Sequence, residues 1–353
     1  SPHILRYNER IAVAGTAATD DAIVAAFESV ERARDGLPLT YFEYGTLAAM
    51  VVFAASNLDV WVLEVGLGGR LDACNAIEPT ASLITNVSLD HCEWLGDDIE
   101  TIASEKAGIM RPNVPTVFGS RDVPNSLLQQ ADIAEAKLLL VGRDFDYRVD
   151  SDSTWSWKGQ SIERRSLPPP GLRGAFQVGN AAAVLALIEA TGLHDALEHG
   201  RLNRILPTVA LTGRQQAVQS AGVNWLLDVA HNPAGAAALA ETLASQRATG
   251  KLWAIAGALD DKDASGIASA LNDVVDYWIA VTARSPRAVP ADELARQIAS
   301  ACGRPCRISE SIADAMEFAR RNVSDNDTIL VTGSFFVVGP ALQMLELYSR
   351  PQS

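Results

Sequence analysis

The chain has 353 residues, 48% hydrophobic and 20% charged, with a formal net charge of −14. That is enough for two domains with their own cores and too apolar for a disordered chain. The acidic balance argues against nucleic-acid and anionic-membrane partners, and no apolar run is long enough to cross a bilayer; four scattered cysteines (Cys74, Cys92, Cys302, Cys306) suit a reducing cytoplasm better than a secreted disulfide scaffold.

In chain order, apolar runs at 59–64, 81–87, 114–118 and 137–141 are expected strands, with helical patterns at 45–56, 98–110 and 123–133 between them. Strand and helix in alternation are the signature of a parallel, doubly wound sheet. From Phe145 to Leu167 short alternating runs suggest antiparallel hairpins, ended by Pro168-Pro169-Pro170-Gly171, and an alanine-rich helix is expected from after Asn180 to about Thr191. A second α/β unit begins near Gln215, with strands at 223–227, 252–256, 277–281 and 328–331 and helices at 233–247, 263–272, 291–302, 310–322 and 336–348. The boundary is expected at Leu211-Thr212-Gly213, giving domains 1–212 and 213–353.

The most informative stretch is Leu63-Glu64-Val65-Gly66-Leu67-Gly68-Gly69-Arg70-Leu71-Asp72-Ala73-Cys74-Asn75. A strand that delivers Glu64 to its carboxyl end, followed by a loop nearly free of side chains, lets a charged ligand approach the backbone. Its glycine spacing does not fit the dinucleotide fingerprint, which weakens a dehydrogenase reading. In the second unit, Asp228-Val229-Ala230-His231-Asn232-Pro233 and Thr332-Gly333-Ser334-Phe335 each put polar groups between a strand and a helix, as plain caps or as an anion-binding rim. His91 follows a strand, as a hydrogen-bonded loop residue or a ligand, and no Cys/His pair at zinc spacing accompanies it. Lys106 is on a helix, where a solvated lysine is the ordinary reading, and Arg214 at the domain junction could hinge, pair with a carboxylate or hold a phosphate.

These segments together resemble the bifunctional dihydrofolate synthase/folylpolyglutamate synthases of the Mur ligase superfamily. The likeness runs through Ser1 to Arg10, Leu39 to Thr46, Leu63 to Asn75, Leu89 to Gly96, Glu105 to Ile109, Gly213-Arg214, Asp228 to Pro233, Asp261-Lys262-Asp263 and Thr332 to Phe335, all in family order. The resemblance implies a P-loop NTPase-type parallel-sheet domain followed by a smaller Rossmann-like domain. It also implies ATP-dependent addition of L-glutamate to dihydropteroate and to reduced folates through an acyl phosphate, in a cytoplasmic monomer. Carried over by residue, Ser1, Glu64, His91 and Lys106 match Mg²⁺ ligands, Lys106 as a carbamylated lysine. Glu64, His91 and Lys106 are thus the expected catalytic set. Thr40, Tyr41, Phe42 and Glu43 with Leu71, Asp72 and Ala73 match pterin-side contacts, and Asn180, Arg214 and Asp228 match ATP contacts. His231 and Ser334 fall in matching motifs without an assigned role.

One departure counts against activity of these residues alone. Family members carry a strand, a Gly-Thr-Asn-Gly-Lys-Gly-Ser type phosphate loop and a helix ahead of the segment matching Ser1. No such loop occurs in the 353 residues; Ile11 to Thr16, Lys158-Gly159 and Gly250-Lys251 do not replace it. A phosphate loop works through successive amides and a lysine that reaches the β/γ-phosphates. The expectation is a truncated form of a complete enzyme, poor ATP binding by this chain, and a parallel sheet with an unpaired edge. The alternatives are another Mur-type amino-acid ligase and a non-catalytic folate-binding remnant.

Overall fold

A computed structural model describes residues 3–90, 92–151, 153–245 and 250–348. The chain forms two compact units, Ser1–Leu167 with Gly179–Arg201 and Pro168–Val178 with Leu202–Ser353. Among the described residues no helix is long and apolar enough to cross a membrane.

The first unit opens with a 3-10 turn, Tyr7–Arg10, and a two-residue ribbon, β1 (Ala12–Val13) and β2 (Thr16–Ala17). Helices α1 (Asp20–Arg34) and α2 (Tyr41–Ala55) follow. Ile23, Ala26 and Val30 recur at helical spacing on α1 and pack with Ala48, Val52 and Phe53 of α2. Then come β3 (Ser82–Ile84), α3 (Cys92–Leu95), α4 (Ile99–Ala107), β4 (Pro115–Phe118), α5 (Asn125–Ile133) and β5 (Lys137–Leu140). The three strands form a parallel sheet in the order β3-β4-β5. Ala103 and Ala107 of α4, Leu127 and Ala131 of α5, and Phe118 of β4 share one buried cluster.

β6 (Asp146–Val149), β7 (Trp155–Lys158) and β8 (Glu163–Leu167) form the expected antiparallel meander. It is tied to helix α6 (Phe176–Ala190) by Trp157, whose indole N–H donates to the Ala182 carbonyl at 3.1 Å. Glu189 near the other end of α6 accepts from the amides of Gln160, Ser161 and Ile162, each at 2.8 Å. A short helix, α7 (His199–Ile205), leads into the second unit.

There the sheet has six strands in the order β13-β12-β11-β14-β10-β9. They are β9 (Gln216–Ser220), β10 (Val223–Leu227), β11 (Leu252–Ala256), β12 (Tyr277–Ala280), β13 (Cys306–Ile308) and β14 (Thr328–Thr332). All pair in parallel except the edge strand β9. Helices α8 (Pro233–Ser245), α9 (Ala264–Leu271), α10 (Ala291–Cys302) and α11 (Ile312–Asn322) connect β10 to β14, and α12 (Phe335–Met344) follows β14. On α10, Leu294, Ala295, Ile298 and Cys302 make a buried stripe that packs with Ile267 and Leu271 of α9.

The α/β alternation read from the sequence is therefore the observed architecture. Several element bounds differ, for local reasons. No described strand pairs with 59–64, and Val60 and Val62 are 53% and 84% exposed; the run is not a strand, because a ladder needs a neighbour whatever the β-propensity. Helix α2 starts four residues earlier than hydrophobic periodicity suggests, because Thr40 and Glu43 form a capping box ahead of the apolar face. Helix α6 starts at Phe176, so Asn180 lies within it rather than before it. Of the expected helix 233–247, residues 246 and 247 lie outside the described residues. The edge strands β9 and β13 were missed: neither has a fully buried residue, and β13 is only three residues long.

Candidate active site

The loop after Glu64 is held from within and from below. Asp72 accepts hydrogen bonds from the amides of Gly66 and Leu67 through one oxygen, at 2.9 and 3.0 Å, and from Cys74 through the other, at 2.9 Å. The Cys74 thiol lies 3.2 Å from the Glu64 carbonyl. Burial, then the Asp72 carboxylate, push that thiol up to about 11, so it is a protonated packing group at neutral pH.

The glycines of this loop are needed for close packing. A Cβ on Gly69 would lie 3.0 Å from the carbonyl oxygens of both Glu105 and Lys106 on α4. One on Gly66 would lie 2.5 Å from the Phe42 ring, and one on Gly108 would collide with Arg70. The Arg70 amide donates to the Glu105 carbonyl at 2.9 Å, and its guanidinium pairs with the Glu105 carboxylate. Asn75 donates to the carbonyls of Arg70 and Gly108. The structural neighbours of the bare backbone are thus α4 and the start of α2.

Two segments distant in sequence meet here. Phe42, in Thr40 to Glu43, covers Gly66, whose amide is held by Asp72. Ala73 lies beside Asp72 and is half-buried, whereas Leu71 is 80% exposed. Thr40 and Glu43 spend their side chains on the capping box: Thr40 Oγ1 accepts from the Glu43 amide at 3.2 Å, and Glu43 accepts from the Thr40 amide at 2.7 Å. Those hydrogen bonds hold the Glu43 carboxyl below its ordinary range. Tyr41 points its ring at Tyr7 and is 64% exposed. Sequence reading missed that this corner includes Arg10, whose guanidinium lies over both rings; only its place in a family segment hinted at it.

Lys106 is in the last turn of α4, directly under the loop. It is not the solvated lysine of the ordinary reading: burial lowers its pKa, against the opposing pull of the Asp90 carboxylate. Glu64 presents an exposed carboxylate at the head of the same loop. Ser1 and His91, the other two expected metal ligands, lie outside the described residues. Among the described residues no group of three or more His, Cys, Asp or Glu side chains is arranged to hold a metal. Mg²⁺ prefers oxygen donors: Glu64 supplies one, and Lys106, whose pKa is lowered by burial, would supply another only as a carbamate.

In the second unit, Asp228 directly follows β10, 7% exposed. Its two oxygens accept from the amides of Gln215 at 2.8 Å and Ala230 at 2.7 Å. Burial nevertheless pushes its pKa up, with those bonds and Arg214 opposing. The carboxylate thereby holds the turn that carries Arg214, where Gly213 and Gln215 both adopt positive φ (69° and 42°). Arg214 is exposed, with its guanidinium 5.6 Å from the centre of the Phe335 ring. His231 lies 5.9 Å from the same ring and 3.0 Å from the Val229 carbonyl. Ser334 caps α12 through the Phe336 amide. The structure thus brings Arg214 and His231 to the ring of Phe335, a residue the sequence reading quoted without a role, while Asp228 interacts electrostatically with Arg214 and His231. Asn180 is on α6, next to Gly179, where an added Cβ would lie 2.8 Å from the Tyr147 hydroxyl.

Residues 12–188 match the Mur ligase middle domain, and residues 213–335 match the Mur ligase glutamate ligase domain. The dihydrofolate synthase/folylpolyglutamate synthase of Escherichia coli K12 is 36% identical over 349 residues, covering 98% of this chain and 79% of that protein. The chain belongs to this family of Mur ligases. Its fold follows suit. A structure of E. coli FolC in complex with DHPP and ADP superposes with a TM-score of 0.91 at 35% identity, over 98% of this chain and 81% of that one. A bifunctional folylpolyglutamate synthase/dihydrofolate synthase with Mn, AMPPNP and L-glutamate bound gives 0.89 at 35%, with the same coverage.

Proposed function

We propose that this Mur ligase chain serves the reaction of its family, ATP-dependent attachment of L-glutamate to dihydropteroate and to reduced folates. The observation that carries the reading is the meeting of Phe42 and the Asp72-held loop on Gly66, with the half-buried Lys106 on the helix beneath. In this reading the acceptor lies against Thr40 to Glu43 and Leu71 to Ala73. Its carboxylate takes the γ-phosphoryl group of ATP, releasing ADP; the glutamate amine then attacks the acyl carbon, loses a proton and expels phosphate.

Triphosphate and carboxylate repel one another, so positioning and charge neutralisation are the main demands on the protein. Mg²⁺, when bound, would neutralise phosphate charge next to the acyl carbon. Ser1, Glu64, His91 and carbamylated Lys106 are the residues proposed to hold it. Asn180 and Arg214 are proposed nucleotide contacts, and Asp228 supports Arg214 by fixing the turn between Gly213 and Gln215. The functional division falls at residue 212, with the acceptor and metal side before it and the Arg214 cluster after it. The protein is proposed to act as a cytoplasmic monomer on small molecules.

The 353 residues contain no phosphate loop with its lysine. By themselves they are expected to bind the pterin acceptor without ATP-dependent turnover. Equilibrium titration with dihydropteroate tests the reading: the purified chain should bind it, and Phe42→Ala should weaken binding about 10-fold through lost aromatic packing. A folded chain with no affinity for dihydropteroate would overturn the assignment, and ATP-dependent glutamate incorporation would refute the expected lack of turnover.

A further inference from the structure

Arg10 closes the Tyr7–Arg10 turn, half-buried. Its guanidinium carbon stands 5.7 Å from the centre of the Tyr7 ring and 5.5 Å from that of Tyr41, and the two rings meet at 87°. Ring faces are negative, so this corner holds a cation without neutralising it. The Nε–H donates to His3 Nδ1 at 2.8 Å, which fixes the rotation of the planar group. Its two terminal nitrogens, with four N–H donors, have no partner among the described residues.

Nearby carboxylates are committed elsewhere. Glu9 accepts from the amides of Ile4, Leu5 and Arg6 at 2.6 to 2.8 Å. Asp20 accepts from Arg6 and Asn8. Arg10 has no acidic partner among the described residues, in a chain with 43 acidic and 29 basic side chains. A fixed guanidinium with its fork unused has the geometry for a carboxylate. The fork also sits beside Tyr41, within the Thr40–Glu43 segment whose Phe42 covers Gly66.

We infer that Arg10 binds a non-reacting carboxylate of the glutamyl chain on a folate acceptor. The inference rests on the function proposed above and adds to it. Dihydropteroate has a single carboxylate, the one that reacts. A folate carries at least one more, and only a folate can therefore use this arginine. Arg10 would be a specificity residue that separates the two acceptors, with His3, Tyr7 and Tyr41 holding it in place.

The test compares dihydropteroate with dihydrofolate, which differ by one glutamate, in equilibrium binding to the purified chain. Arg10→Gln should weaken dihydrofolate binding about 10-fold or more, the value of a hydrogen-bonded charge pair, and dihydropteroate binding by less than about 2-fold. Arg10→Lys keeps the cation over the rings and loses the planar fork, so it should give a smaller loss with the same selectivity. It also answers the question if the Gln variant does not fold. Titration with L-glutamate separates the other source of a carboxylate. Equal losses for the two pterins, no loss for either, or a loss confined to L-glutamate would overturn the inference. A wild-type chain that binds neither pterin would instead sink the proposed function.

Discussion

The two units place polar groups by different means, the second at strand ends and the first on a loop. In the second, Asp228 and the Thr332-Gly333-Ser334 turn sit at the ends of adjacent paired strands: the Asp228 amide donates to Val331 at 3.0 Å, so the ladder itself fixes the site. In the first, residues 59–64 have no described ladder partner. The Glu64 loop takes its shape from Asp72, from Phe42 and from contact with α4. A sheet-built site depends on the register of distant strands, whereas a loop-built site depends on a few glycines and one carboxylate.

The largest expected effect falls on the sheet-built site. An Ala at Gly333 would place its Cβ 2.5 Å from the Gly257 carbonyl oxygen, at φ +94°. Gly333→Ala should cost about 3 kcal/mol or more, from overpacking and backbone strain together. Gly222→Ala, with φ +79° and open space around it, should cost about 1 kcal/mol. Urea unfolding of the two variants checks the difference; equal costs would show that the Gly333 turn yields and the comparison is too sharp.

Next come the two buried carboxylates. Asp228→Ala leaves two buried amides without an acceptor and should cost about 2–4 kcal/mol. Glu189→Gln weakens the anchor of the β7–β8 turn on α6 and should cost about 1–3 kcal/mol. The two residues also predict opposite pH dependence. The Asp228 pKa is raised by burial, so its contribution is full below the ordinary carboxylate range and is lost as pH rises through the shifted value. Burial would raise the Glu189 pKa too, but hydrogen bonds from Ser161, Gln160 and Ile162 win and hold it low; its contribution is full above the ordinary range and is lost as pH falls. Stability measured across the acid range should lose its alkaline-side decline in Asp228→Asn and part of its acid-side decline in Glu189→Gln. The smallest effect belongs to Arg70→Met. The Arg70–Glu105 pair is 2.9 Å apart but half-exposed, so about 0.5 kcal/mol is expected.

Much of this was legible before the structure. The alternation of apolar runs and helical periods gave the parallel sheet of the first unit and the α/β character of the second, and the meander at 146–167 could be read from its period-two pattern. What escaped were features that depend on partners distant in sequence. Nothing in the apolar run 59–64 reveals whether a neighbouring strand is there to pair with it. The glycines of 66–69 suggested room for a ligand, yet their packing against Phe42 and α4 appears only in three dimensions. The capping box at Thr40 and Glu43 was visible as a Thr-x-x-Glu pattern, and it moves the start of α2. For Lys106, the base rate for lysine pointed to solvent, and only burial beneath the loop argues otherwise.

That burial leads to the central claim, that the loop-built site of the first unit carries the metal-side chemistry through Lys106. The most direct measurement is ¹³C NMR of the purified chain equilibrated with ¹³C-bicarbonate and Mg²⁺. The account predicts a carbamate resonance that is absent from Lys106→Arg. A wild-type spectrum without that resonance, or one unchanged by the substitution, would contradict it.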